Sequence, residues 1–295
     1  MGCECESFPA WLADLQGVSS KAHNLIAGGE PNGSPGAGAM IRAVLFDFDD
    51  TLVDFSPSDA KRLFREGASR CYAYLSAHEL ALPTFETFCR QQRWIARKIE
   101  WIRRLSGGEP DMRRILRRIC RDYRLQRDQV SLAKLGWLWY EPITEHASVA
   151  GDVLPTLRAL RAGGTELGLV VNSAFPGAVI DRHLEDLGLL EFFPTRAYST
   201  DVGARKPDVR LFSAALESMH VKAAETMFVG DDTKVDILGA RRVGMTTIHR
   251  SSNRRGSTVA DYVVTKLSEL LELPELSRLR DARQPAPVVV PALIT

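Results

Sequence analysis

Val44-Leu45-Phe46-Asp47-Phe48-Asp49-Asp50-Thr51-Leu52 is an apolar run that breaks into a knot of carboxylates. Val44 to Phe46 reads as a short, fully buried strand. Asp47, Asp49 and Asp50 cannot follow it into the core unpaired, because an isolated carboxylate in an apolar interior is far too costly. The acids therefore belong at the carboxyl end of the strand, where open α/β sheets bind their ligands. Such a cluster suits a divalent metal and a reacting phosphate. Asp-Asp-Thr could equally cap a following helix, so this stretch alone leaves both readings open.

Outward from this strand, the chain after Gly151 alternates helix and strand. Val153 to Arg161 reads as a helix, Leu167 to Val171 as a buried strand ending in Asn172-Ser173, and Val179 to Leu187 as a helix stopped by Gly188. A short strand near Arg196 to Ser199 leads to the loop Gly203 to Asp208, with Pro207 placed to start a helix over Val209 to Met219. Met227 to Val229 is another buried strand, broken by Gly230-Asp231-Asp232-Thr233-Lys234-Val235-Asp236. A helix over Ile237 to Arg242, strands at Thr246 to His249 and Tyr262 to Val264, and a helix over Ser268 to Leu273 close the array. Repeated β-α units predict an α/β fold: a Rossmann-like, doubly wound parallel sheet covered on both faces.

Between Phe55 and Val149 the pattern is helical instead. Phe85, Phe88, Gln92, Ile95, Ile99 and Ile102 form one stripe, and Met112, Ile115, Leu116, Ile119, Cys120 and Tyr123 a second. The outer faces are basic, with twelve Arg and one Lys from Arg90 to Arg127 against four acids. A solvated helix face accounts for this, although a basic lid would also attract phosphorylated substrates. The expected organisation is a flexible extension at 1–39, an α/β core at 40–55 and 150–273, an all-helical insert at 56–149, and a disordered tail at 274–295. The Gly- and Pro-rich run from Gly28 to Gly36 supports the first boundary.

Composition narrows the function classes. With a formal charge of +1, the chain has no net bias toward nucleic acid or membranes, and neither is expected as a partner. No apolar run approaches the length of a membrane span. Cys3, Cys5, Cys71, Cys89 and Cys120 are an odd, scattered set with no disulfide framework or metal-binding spacing, which fits a cytoplasmic setting. Oligomeric state is not legible from these features.

Each polar group above falls at a predicted strand end, so Asp47, Asp49, Asn172, Ser173, Lys206, Asp231, Asp232 and Asp236 can converge on one rim of a parallel sheet. Several acids, one amine and one hydroxyl are what metal-assisted phosphoryl transfer needs. In sequence order these residues resemble the four motifs of the haloacid dehalogenase-like hydrolase superfamily. Asp47-Phe48-Asp49-Asp50-Thr51-Leu52 is similar to the first motif and Asn172-Ser173 to the end of the second. Lys206 in Arg205-Lys206-Pro207-Asp208 is similar to the third, and Gly230-Asp231 with Asp236 to the fourth. The likeness spans roughly residues 40 to 273. The insert lies where members with a helical cap between the first two motifs carry it.

The resemblance implies a Mg²⁺-dependent phosphatase acting on a small phosphorylated metabolite through an aspartyl-phosphate intermediate. Asp47 would be the nucleophile and Asp49 the general acid and base. Mg²⁺ would be held by the Asp47 carboxylate, the Asp49 backbone carbonyl and Asp231. Lys206 would neutralise phosphate charge, and Asn172 and Ser173 would bind the phosphate with it. Asp236 would anchor Lys206 or a metal-bound water, and Asp232 is an alternative neighbour of the metal. Taken singly, Asp231 and Asp236 could merely cap the helix at Ile237. Two positions depart from the family pattern: Val171 stands where a phosphate-binding Thr or Ser usually precedes Asn172, and Val209 where a second Pro often follows. An acid at Asp49 favours phosphate esters over halides or phosphonates, whose leaving groups need no proton. A sugar phosphomutase of the same superfamily is the nearer alternative. A non-catalytic protein binding an acidic partner through the basic insert is the more distant one.

Overall fold

The computed structural model describes residues 40–56, 59–78, 80–106, 112–123, 131–251 and 259–276. The expectations for residues 1–39, and for the tail beyond Leu276, lie outside them. Six strands form one sheet with every neighbouring pair parallel: β1 (Ala43–Phe46), β4 (Glu166–Val171), β5 (Thr195–Tyr198), β6 (Thr226–Gly230), β7 (Thr246–Arg250) and β8 (Tyr262–Val264). Their order is β5-β4-β1-β6-β7-β8, which is the expected doubly wound arrangement. The chain works outward from β1 through β4 and β5, then returns to lay β6 on the other side of β1. This reversal opens a crevice at the carboxyl ends of β4, β1 and β6.

Alternation along β1 assigns its residues to two cores. Val44 and Phe46 pack on one face with Leu157, Leu160, Val179, Ile180 and Leu184; Ala43 and Leu45 pack on the other with Leu211, Phe212, Ala215 and Ala240. All four β1 residues are fully buried, so the run has no polar alternation. The first core runs on without a break into the insert through Phe48, Phe64, Trp139, Tyr140 and Phe175.

Four helices occupy the insert: α1 (Ala60–Ser76), α2 (Phe85–Ser106), α3 (Met112–Asp122) and α4 (Leu132–Thr144). Asp59 caps α1 by accepting from the Lys61 amide, and Ser131 caps α4 by accepting from that of Lys134. In α3, Met112, Ile115, Leu116 and Ile119 are buried while Arg114, Arg117, Arg118 and Arg121 face solvent, so the stripe is amphipathic as read. α1 and α4 cross closely at Gly67, where a Cβ would stand 2.8 Å from the Trp139 carbonyl oxygen. The chain leaves the core and returns to it through a two-stranded antiparallel ribbon, β2 (Asp54–Phe55) with β3 (Ala147–Ser148), which the helical reading of this region did not anticipate. Two-residue strands carry too little pattern to be seen in sequence.

The insert rests on the loops that follow β4 and β5. Met112 N–H donates to the Ala174 carbonyl at 2.8 Å, Arg113 reaches the Thr200 carbonyl and Asp201, and the Tyr140 hydroxyl lies 3.0 Å from His183 Nδ1 on α6 (Gly177–Asp186). Arg182 also stacks over the Trp137 ring, 3.9 Å from its centroid.

Other helices differ from expectation in detail. Asp208, not Pro207, opens the helix over Val209–Met219: its carboxylate accepts from the Arg210 amide, leaving Pro207 outside. The expected start at Ile237 is replaced by a π-helical turn over Thr233–Ile237 that runs into the helix at Leu238–Val243. The last helix is a 3₁₀ segment, Leu267–Glu272, followed by a packed turn at Pro274–Leu276 in which Leu276 is buried. The tail boundary at 274 therefore cuts into ordered structure. Among the described residues no helix is long and apolar enough to cross a membrane.

Candidate active site

β1 ends at Phe46, and the next amide, Asp47 N–H, still donates to the Val229 carbonyl of β6 at 2.9 Å. Asp47 is thus held as an extension of the strand, with its carboxylate at the crevice. Lys206 meets it there. Its ammonium lies 2.6 Å from Asp47 Oδ1 and 2.8 Å from Asp236 Oδ1, and its side chain is only 1% exposed. Burial alone would lower the Lys206 pKa, but the adjacent Asp236 and Asp47 charges reverse that and hold the amine protonated. A buried lysine between two carboxylates is a fixed point cation.

Asp236 reaches this position because the chain turns tightly after β6. Its side chain packs against Gly230, where a Cβ would stand 2.5 Å from Asp236 Cβ, so only glycine fits. Asp236 also accepts from the Asp232 amide at 3.1 Å. Asp232 Oδ1 accepts from the Lys234 and Val235 amides at 2.7 and 2.8 Å, capping the turn. The Asp231 carbonyl takes a hydrogen bond from His249 Nε2 at 2.6 Å.

Asp47, Asp231 and Asp236 each bring a carboxylate oxygen within 4.8 Å of the others. Three acids facing one ammonium leave uncompensated negative charge. Burial first, and then the charge of Asp47, push the pKa values of both Asp231 and Asp236 well above the usual carboxylate range. An oxygen-only, electron-rich and partly dehydrated cluster of this kind fits a hard divalent cation. Asp236 is the third carboxylate of this cluster. Asp49 also has a strongly raised pKa, from burial and then from the neighbouring Asp47 and Asp50 charges.

The loop after β4 holds the remaining candidates. Asn172 serves the lysine: its Nδ2 donates to the Lys206 carbonyl at 3.2 Å and its Oδ1 accepts from the Lys206 amide at 2.8 Å. Both ends of its amide are thus engaged by the Lys206 backbone. Ser173 is buried and its hydroxyl is spent within its own loop, donating to the Phe175 carbonyl and accepting from the Phe175 amide, each at 3.0 Å. Its single proton is committed, so in this arrangement it has none for a phosphate oxygen. Val171 closes β4 as a buried core residue. Sequence reasoning passed over His249 and Arg250, both at the end of β7 and both bonded to backbone carbonyls of the candidate loops. A polar residue ending a parallel strand was the available signal.

A family model for haloacid dehalogenase-like hydrolases matches residues 41–244. The chain belongs to that family of hydrolases. It is 29% identical to a glyceraldehyde 3-phosphate phosphatase of Methanopyrus kandleri, over 79% of this chain and 97% of that protein. It is 28% identical to a ribulose-1,5-bisphosphate 5-phosphatase of Halopiger xanaduensis, covering 79% and 99%. A phosphoglycolate phosphatase of Yersinia pseudotuberculosis is 24% identical, covering 82% and 96%. In fold it is similar to the crystal structure of a 2-haloacid dehalogenase from Pseudomonas syringae, with a TM-score of 0.54 at 24% identity over 81% of this chain and 99% of that one.

Proposed function

We propose that this protein is a Mg²⁺-dependent phosphatase that hydrolyses a small phosphorylated metabolite at the crevice between β4, β1 and β6. The observation that carries the reading is the buried Lys206 ammonium locked between Asp47 and Asp236, beside Asp231. Relatives named as phosphatases of glyceraldehyde 3-phosphate, ribulose bisphosphate and phosphoglycolate support the reaction class and a compact, anionic substrate.

In this reading an Asp47 oxygen attacks phosphorus in line with the leaving oxygen, the phosphorus–oxygen bond to the leaving group breaks, and an aspartyl phosphate forms. Asp49 gives its proton to the leaving oxygen. Burial and the neighbouring Asp47 and Asp50 charges raise the Asp49 pKa, which favours the protonated form that this step uses. Asp49 then takes a proton from water, whose oxygen attacks phosphorus and releases phosphate with the Asp47 carboxylate restored. Lys206 holds Asp47 in place and offsets the charge of the transferred group. The Asp47 and Asp231 carboxylates and the Asp49 backbone carbonyl would hold the cation with the Asp236 carboxylate beside them, and the cation would supply charge neutralisation between an anionic nucleophile and an anionic ester. The helices at 60–144 act as the cap, and its basic surface draws anions toward the site. We place the enzyme in the cytoplasm.

The test is turnover of p-nitrophenyl phosphate with Mg²⁺, with and without chelator, in the wild type and in Asp47→Asn. Chelator-sensitive turnover abolished by the substitution is expected. No turnover, or turnover indifferent to Asp47→Asn, overturns the reading.

A further inference from the structure

The turn carrying Asp49 is tight and unevenly satisfied. The Leu52 and Val53 amides both donate to the Phe48 carbonyl, at 3.0 and 3.1 Å, and Asp50 N–H donates to the Val53 carbonyl at 2.8 Å. Asp50 has φ +53°, a left-handed conformation that is strained for a non-glycine residue. The carbonyls of Asp50 and Thr51 are held from outside the turn, by Arg250, 200 and 199 residues further along the chain.

Arg250 is the last residue of β7, and β6 stands between that strand and β1. Two strand spacings are about 10 Å, a gap that only a long side chain can cross. Its Nη1 donates to the Asp50 carbonyl at 2.9 Å, to the Thr51 carbonyl at 3.0 Å and to Asp54 Oδ1 at 2.9 Å. Nη2 faces Asp54 Oδ2 at 3.4 Å. Asp54 opens the ribbon through which the chain passes into the insert. One guanidinium therefore binds the turn that bears Asp49 and the root of the cap together.

We propose that Arg250 is a positioning residue for the hydrolysis: it fixes the Asp49 turn so that the acid faces the leaving oxygen. Lysine replaces it only in part, since an ammonium could take the contacts of Nη1 but has no second nitrogen to face Asp54 Oδ2. This rests on the phosphatase reading. Its signature lies in the leaving group. An alkyl phosphate, whose alkoxide must be protonated, depends on Asp49 far more than p-nitrophenyl phosphate, whose phenolate leaves unaided.

The experiment compares kcat for an alkyl phosphate and for p-nitrophenyl phosphate in the wild type, Arg250→Ala and Arg250→Lys, each checked for a cooperative melt. The expected loss in Arg250→Ala is about tenfold to a hundredfold larger on the alkyl ester, with Arg250→Lys recovering part of the difference and added guanidinium ion restoring the alkyl reaction. Equal losses on both esters, or none, overturn the positioning role while leaving the phosphatase reading intact. Should Arg250→Ala fail to melt cooperatively, Asp54→Asn, which removes one arm of the clamp, must show the same leaving-group bias, and an unbiased result there overturns the role as well. A wild type that turns over neither ester overturns both.

Discussion

The rim of the sheet and the outer face of the insert are both dense in charge, yet they use it in opposite ways. At the rim, Lys206 and Asp236 are buried and each contact has one geometry. On the insert, pairs such as Arg118 with Asp122 are exposed on both sides and lie one helical turn apart. Charges taken out of water must be matched, and matching fixes position. Charges left in water are screened and hold little in place. The comparison separates residues that set geometry from residues that set the field a substrate meets.

Replacing a rim acid with its neutral isostere should break catalysis without breaking the fold. Asp47→Asn is expected to lower kcat by roughly 10⁴-fold or more, about 5 kcal/mol in the barrier, with a near-native melt. Steady-state kinetics beside calorimetry checks it. Removing the rim cation should instead cost stability. Lys206→Met leaves Asp47 and Asp236 facing each other unpaired, and a loss of about 3–5 kcal/mol in urea unfolding is expected. A loss below about 1 kcal/mol would mean that water reaches the pair.

His183 joins the two regions, since its ring meets Phe48 from the motif turn and Tyr140 from the insert. Burial pulls its pKa from 6.5 down to about 4. The folded protein keeps this imidazole neutral while the unfolded chain protonates it below pH 6.5. Its contribution is therefore complete above pH 6.5 and falls away as the pH drops toward 4. That amounts to about 3 kcal/mol, to be seen as a slope in unfolding free energy that His183→Asn removes. The smallest effect belongs to the insert surface: Arg118→Ala should change stability by no more than about 0.5 kcal/mol, and by less in high salt.

Much of this molecule was legible because β1 and β6 are short, largely apolar strands that run into acids. The run from Val44 to Phe46 could only be a buried strand, and Asp47 could only stand at its end. Roles within the loops were not legible in the same way. Asp231, Asp232 and Asp236 are the same residue type within six positions, yet one faces the cluster, one caps a turn and one holds a lysine. The side chain's direction decides among these, and direction follows from a π-helical turn with no sequence periodicity of its own. Ser173 was read as a phosphate ligand from its place after Asn172, but its proton went to Phe175, two residues away. Local hydrogen bonds of that kind compete with function and leave no mark in composition.

The sequence by itself determined the parallel sheet, the helical insert and the strand ends at which chemistry gathers. Those follow from hydrophobic periodicity and from the cost of burying charge, both of which act residue by residue along the chain. Only the tertiary structure decided which acids share Lys206, that Asn172 serves the lysine backbone, and that Arg250 reaches the turn after β1. Hydrogen bonds and ion pairs join groups by distance in space, and the sheet's order brings β7 within a side chain's reach of a turn 200 residues earlier.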